Sequence, residues 1–138
     1  MKVDLNALVI GFSDDSVERS YYLDRDTGRV FNVLEDHDDP ETQKLVWQLE
    51  ADTRGRYIQI PTLNLEERIN EQDAFVESLE DSDLKASFEK TIESDHDGSK
   101  FAEYVIRDRA ARDAWRAYRR AVSRERAAEW VESLGLPT

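Results

Sequence analysis

The chain has 138 residues, of which 39% are hydrophobic and 36% charged, and its formal net charge is −12. It contains no cysteine, which excludes disulfides, thiol catalysis and thiolate metal sites. No stretch approaches the roughly 20 apolar residues that cross a bilayer, and no signal peptide is recognisable. We expect a single cytoplasmic domain that avoids membranes and, because phosphates would repel it, nucleic acid.

A short helix and a hairpin are predicted at the start of the chain. Apolar residues repeat at helical spacing from Leu5 to Phe12, behind Asp4 as a plausible N-cap. Strand-like runs at 20–24 and 29–34 then flank a turn that ends at Gly28. A glycine at this position suits the left-handed conformation that closes a short hairpin with a bulge.

A second helix and a third strand follow the hairpin. Pro40 suits the first turn of a helix, and the apolar spacing predicts that this helix runs to about Asp52. The run 57–60 has the composition of a strand, and Pro61 ends it because proline cannot donate to a ladder. Three strands with one apolar face are about the minimum for a small sheet.

Everything after Thr62 is predicted to be helical, in four segments that end at Gly135 as a C-cap. The predicted fold is α+β: a small antiparallel sheet, made of the hairpin plus a third strand, with a mainly helical C-terminal half, as one domain over residues 1–138. The predicted core is Tyr22, Leu23, Phe31, Val33, Ile58, Ile60, Ile69, Val76, Leu79, Leu84, Phe88, Ile92, Phe101, Val105, Trp115, Tyr118 and Val122.

Positive charge is concentrated in the last helix, which is predicted to begin at Asp108. Residues 1–99 hold ten bases and twenty-five acids, whereas residues 100–138 hold nine bases and six acids. Along this helix one side is apolar, around Trp115 and Tyr118, and arginines occupy the other. Beyond Ser123 the apolar pattern rotates around the helix, so that Trp130 lies on the side that arginines occupy earlier in the helix. Either the helix bends there, or its last turns pack against a different element or a second subunit.

Several short motifs resemble a bacterial family of small acidic proteins of unknown function, uncharacterised protein family 158. They are Tyr21-Tyr22-Leu23-Asp24 with Thr27-Gly28, Tyr57-Ile58-Gln59-Ile60-Pro61, Phe75-Val76-Glu77-Ser78-Leu79, Trp115-Arg116-Ala117-Tyr118-Arg119 and Ala128-Glu129-Trp130-Val131. Together, in this order, they span most of the chain. The resemblance implies a small α+β fold and no assigned activity, catalytic residue or cofactor.

A metal-dependent phosphohydrolase of the HD type is the alternative function. Both histidines lie between aspartates, and His37, His96-Asp97 and Asp108 or Asp113 imitate the ligand order of such enzymes. Because both triplets fall in predicted loops of an aspartate-rich chain, chance explains them better. Asp24, Asp26 and Gly28 imitate the start of a calcium loop, but Arg29 stands where that loop needs glycine, so we predict no metal or cofactor.

The arginine side of the last helix is the best remaining candidate for function. Guanidinium groups can bind carboxylate or phosphate in a bidentate manner, and Arg112, Arg116, Arg119 and Arg120 are the predicted contact residues. The simpler interpretation is self-neutralisation by acidic residues of the same chain. A non-enzymatic binding or regulatory module with an acidic protein partner is the favoured function, ahead of an acidic mimic of nucleic acid. The oligomeric state stays open.

Overall fold

The computed structural model describes residues 2–14, 18–34 and 39–137. Its elements in chain order are α1 (Leu5–Ser13), β1 (Arg19–Asp24), β2 (Val30–Leu34), α2 (Pro40–Ala51), β3 (Tyr57–Gln59), α3 (Leu65–Ser78), α4 (Asp83–Glu93), α5 (Ser99–Arg107) and α6 (Arg109–Ser133). The α+β prediction is therefore confirmed, including the helical C-terminal half. Within these ranges, no helix is both long and apolar enough to cross a bilayer.

The three strands form one antiparallel sheet in the order β2-β1-β3. The predicted hairpin is confirmed, since Leu23 of β1 lies opposite Val30 of β2. Its turn is closed by Gly28, whose φ of 76° is in the left-handed region and whose N–H donates to the Asp24 carbonyl at 2.8 Å. β3 pairs with the other edge of β1, so the hairpin supplies the centre of the sheet.

The chain forms two compact units, and α6 contributes to both. Unit 1 comprises Met1–Thr62 and Val122–Thr138, and unit 2 comprises Leu63–Ala121. The prediction of a single domain stays a prediction.

The core of unit 1 is largely aliphatic and lies against one face of the sheet. Its buried residues are Val3, Leu8, Val9, Tyr21, Leu23, Ile60, Ala127 and Val131. The predicted core included Tyr22 and omitted Tyr21. This prediction was wrong, because Tyr21 is on the buried face of β1 and Tyr22 is on the opposite face. Successive side chains of a strand point to opposite faces, so Tyr22 stacks on Phe31 on the other side, at a centroid distance of 5.7 Å, and both are half-buried.

The last turns of α6 belong to the core of unit 1. Ala127 and Val131 are fully buried there, and the Trp130 ring meets the edge of Phe12 at 5.8 Å. The final turns of α6 therefore pack against a different element from the earlier turns, which is one of the alternatives that the sequence left open. The rotation of the apolar pattern near Ser123 marks the point where the helix passes from one core to the other.

Unit 2 is built around aromatic residues from four helices. Its buried residues are Phe75, Val76, Phe88, Phe101 and Ala111. The Phe75 ring lies 5.1 Å from the rings of Phe88, Trp115 and Tyr118, in edge-on or tilted contacts that favour aromatic pairs. The predicted core omitted Phe75, although it is the centre of this cluster.

Candidate functional site

The four arginines predicted to form a binding face lie on α6, but they have different surroundings. The helix begins where the Asp108 carboxylate accepts a hydrogen bond from the Ala111 N–H at 2.9 Å, as a capping residue does. Arg116 and Arg120 are exposed, Arg112 is half-buried and Arg119 is buried. The face therefore divides into two arginines that contact the protein itself and two that contact solvent.

Arg119 forms a buried ion pair inside unit 2. Its Nε atom lies 3.4 Å from Oε1 of Glu71, and the exposed fractions of the two side chains are 9% and 2%. The guanidinium also lies over the Trp115 ring at 5.6 Å, a cation–π distance. With its charge and one of its faces engaged, Arg119 has little surface left to offer a partner.

Arg112 binds the end of the preceding helix. Its Nη2 atom donates to the Ile106 carbonyl at 2.9 Å, and its Nε atom lies 3.5 Å from the Val105 carbonyl oxygen. The last carbonyls of a helix have no partner within the helix and carry its partial negative charge. Arg112 thus caps α5 and fixes the corner between α5 and α6.

Arg116 and Arg120 differ from these two because neither forms an ion pair or a side-chain hydrogen bond with any residue that the structure describes. They are four residues apart on α6, so their side chains leave the helix one turn apart on the same face. At the start of the helix, by contrast, Nε of Arg109 lies 4.0 Å from Oδ2 of Asp113, and both side chains are strongly exposed. Arg116 and Arg120 therefore present two unneutralised guanidinium groups to solvent.

Glu71 is the residue that the sequence argument missed. It was not among the predicted core or site residues, yet only 5% of it is exposed. The sequence does contain an indication that Glu71 is buried: it precedes the apolar residue Phe75 by four positions, and residues four apart share a face of a helix. The partner of this glutamate, forty-eight residues later, carried no comparable signal.

The residues proposed for a metal site already have other roles, where the structure describes them. Asp95, which precedes His96 and was not itself a proposed ligand, accepts three backbone N–H groups at the start of α5, from Gly98, Lys100 and Phe101. The Ser99 hydroxyl, followed by the Ser99 N–H that Asp97 accepts, lowers the pKa of Asp97, and His96 is exposed beside it. Residues 2–14, 18–34 and 39–137 contain no group of three potential ligands, and His37 lies outside them.

The imitation of a calcium loop in the hairpin is also explained by local structure. Both carboxylate oxygens of Asp24 are bonded to Arg56, through Nε and Nη2 at 2.9 Å each. This pairing holds the pKa of Asp24 at about 2, below its usual 3.8. The conformation of Asp24 is thus explained by its pairing with Arg56, and Glu35, the twelfth position of such a loop, is outside the described residues.

Comparison with known proteins places the chain in one family. The model of uncharacterised protein family UPF0158 matches residues 1–136. A UPF0158 protein of Chlamydia trachomatis is 30% identical over 127 residues, and one of Chlamydia pneumoniae is 29% identical; both alignments cover 91% of this chain. The chain spans only 38% and 39% of the length of these relatives. No solved structure matches it. The chain belongs to the uncharacterised protein family UPF0158.

Proposed function

We propose that this protein is a non-enzymatic, cytoplasmic binding or regulatory module that contacts an acidic protein partner through Arg116 and Arg120. The observation that carries the proposal is the exposure of these two arginines, one helical turn apart, without an acidic partner among the described residues. The chain has thirty-one acids and nineteen bases, yet no described carboxylate is paired with either of these guanidinium groups. Two adjacent cations without one are therefore available for carboxylates of another molecule.

Arg112 and Arg119 have supporting roles in this proposal. Arg119 is buried against Glu71 and Trp115, and Arg112 caps α5. Both contacts hold the start of α6 on the aromatic core of unit 2, so that Arg116 and Arg120 are presented on a rigid helix. The contact residues are thus narrowed from four arginines to two, and the other two position the helix.

The favoured partner is a protein with clustered carboxylates rather than nucleic acid. The net charge of −12 opposes the approach of a polyphosphate, whereas an acidic peptide segment needs to approach only the local face. Contacts of this exposed kind are screened by salt, since the Debye length falls from about 10 Å at 0.1 M to about 3 Å at 1 M. Binding is therefore expected to weaken as the salt concentration rises.

Site-directed cross-linking combined with charge reversal tests the proposal. Ala117 is exposed between the two arginines, and a cysteine-free chain gives Ala117→Cys a single thiol for a photoreactive maleimide. We expect cross-links from position 117 to an acidic segment of one partner, identified by mass spectrometry. They should be lost in the Arg116→Glu/Arg120→Glu background.

The matched control reverses two other exposed cations, Arg107 and Arg109, which changes the net charge by the same amount. It should leave the cross-link from position 117 intact. Cross-links from Ala102→Cys, an exposed position of α5, should not reach the same segment. Equal loss of the cross-link in both double variants, or cross-links to a segment without carboxylates, would refute the proposal.

A further inference from the structure

A cleft in unit 1 lies between the β1–β2 turn and the loop that joins α2 to β3. Its volume is about 430 Å³, within the range of small-molecule pockets. It is lined by Arg25, Asp26, Ala51, Asp52, Thr53, Arg54, Gly55 and Arg56. Three arginines thus meet from two loops that are thirty residues apart in sequence.

The two walls of the cleft are joined to each other. The Arg25 N–H donates to the Arg56 carbonyl at 2.8 Å. The Arg56 side chain reaches back to the turn, where its Nε and Nη2 atoms donate to Oδ1 and Oδ2 of Asp24 at 2.9 Å each. Its Nε also lies 3.3 Å from Oδ2 of Asp26. The bidentate pair with Asp24 fixes the orientation of the guanidinium, so the cleft has a defined shape before any ligand enters.

The carboxylate of Asp52 organises the second wall. It accepts backbone N–H groups of Arg54, Arg56 and Tyr57, at 3.2, 3.1 and 2.9 Å. These bonds, that of Tyr57 foremost, lower the pKa of Asp52, so it stays charged and keeps the loop in place. Asp24 and Asp52 therefore use most of their acceptor capacity on Arg56 and on the backbone.

Arg25 and Arg54 are the arginines of the cleft that remain available to a ligand. Both are exposed, both line the cleft, and neither has an ion pair with any residue that the structure describes. The cleft therefore combines two available guanidinium groups with carboxylate oxygens of Asp26 and Asp52 at its edge. Guanidinium groups bind phosphate oxygens through paired N–H donors, and carboxylates accept hydrogen bonds from hydroxyl groups.

We propose that this cleft binds a phosphorylated sugar, with the phosphate on Arg25 and Arg54 and a hydroxyl group on the exposed carboxylate of Asp26. A phosphate monoester suits two guanidinium groups from different loops, because its oxygens point in several directions whereas a carboxylate is planar. The aspartates would repel a larger polyanion, but Asp26 can accept a hydroxyl donor of a sugar. The lining residues belong to unit 1 and Arg116 and Arg120 to unit 2, so the two proposals rest on different residues.

Calorimetric titration of the full chain with ribose 5-phosphate, at constant ionic strength, tests the proposal. We expect Arg25→Ala and Arg54→Ala each to weaken binding by about tenfold or more, since hydrogen bonds between charged groups are lost. Both side chains are exposed, so the variants should unfold at the same temperature as the parent protein. Ribose and inorganic phosphate, each with half of the recognised groups, should bind at least about tenfold more weakly.

The control variant is Arg29→Ala, which removes one cation from the same turn but not from the lining of the cleft. It should bind ribose 5-phosphate as the parent does. The proposal is overturned if ribose 5-phosphate does not bind, if Arg29→Ala weakens binding as much as Arg25→Ala, or if inorganic phosphate binds as tightly as the sugar phosphate.

Discussion

The cores of the two units are built from different side chains and different secondary structure. In unit 1, aliphatic side chains of α1 and α6 cover one face of a three-stranded sheet. In unit 2, four helices meet around Phe75, Phe88 and Phe101, whose rings contact each other edge-on or at a tilt. In a sheet, backbone hydrogen bonds join one element to the next, whereas the backbone hydrogen bonds of a helix lie within it and helices associate through their side chains. Unit 2 should therefore be the more sensitive to the loss of one ring.

The ion pairs of the two units also differ, chiefly in how deeply they are buried. In unit 1 the pair of Asp24 with Arg56 is bidentate, and 41% of the arginine side chain is exposed. In unit 2 the pair of Glu71 with Arg119 is a longer contact, between side chains that are almost completely buried. Water can replace a partner at the first pair but hardly at the second. Burial, more than geometry, should set the cost of breaking each pair.

The largest effect is expected from Phe75→Ala in unit 2. Removing a fully buried phenylalanine costs about 3–5 kcal/mol of unfolding free energy, because transfer and cavity terms add. Val131→Ala in unit 1, also at a fully buried position, should cost about 2 kcal/mol. Urea unfolding would measure both, with Leu65→Ala as an exposed control. Equal costs for Phe75→Ala and Val131→Ala would remove the contrast between the two cores.

A smaller effect is expected from Arg119→Met. The variant keeps an unbranched apolar side chain but removes the guanidinium, which leaves the buried Glu71 carboxylate without its arginine and costs about 3 kcal/mol. Adding Glu71→Leu should recover most of the loss, since a buried pair can be replaced by apolar residues at little cost. Arg120→Met removes an exposed charge next to it and should change stability by less than about 0.5 kcal/mol. Similar losses for Arg119→Met and Arg120→Met would contradict the buried pair.

The smallest of the three effects concerns Asp24 and depends on pH. Because the pKa of Asp24 is lowered in the folded protein, its pair with Arg56 stabilises the fold fully above the usual value of 3.8. This contribution, about 1–2 kcal/mol, is lost as the pH falls towards 2. The difference in unfolding free energy between the parent and Asp24→Asn should therefore shrink between pH 6 and pH 3. Asp26→Asn, at a more exposed carboxylate, serves as the control, and a pH-independent difference for Asp24→Asn would contradict the lowered pKa.

Most element boundaries could be predicted because their signals are local. Asp4 and Asp39 accept N–H groups at the starts of α1 and α2, and Gly28 and Gly135 take the left-handed conformations expected of them. The rotation of the apolar pattern at Ser123 was also visible, because it is a property of one helix. What could not be predicted was the face of β1 that is buried, since an alternating strand with Tyr21 and Tyr22 is apolar on both sides.

The sequence alone determined the elements, the hairpin turn and the concentration of arginines on the last helix, because caps, turns and helical spacing depend on neighbours within a few residues. Only the tertiary structure decided which arginines are internal. Glu71 and Arg119 pair across forty-eight residues, and Asp24 and Arg56 across thirty-two. The spacing of residues within one element does not predict pairs that are so far apart in sequence. The tertiary structure was therefore needed to show that Arg112 and Arg119 contact the protein itself, whereas Arg116 and Arg120 face solvent.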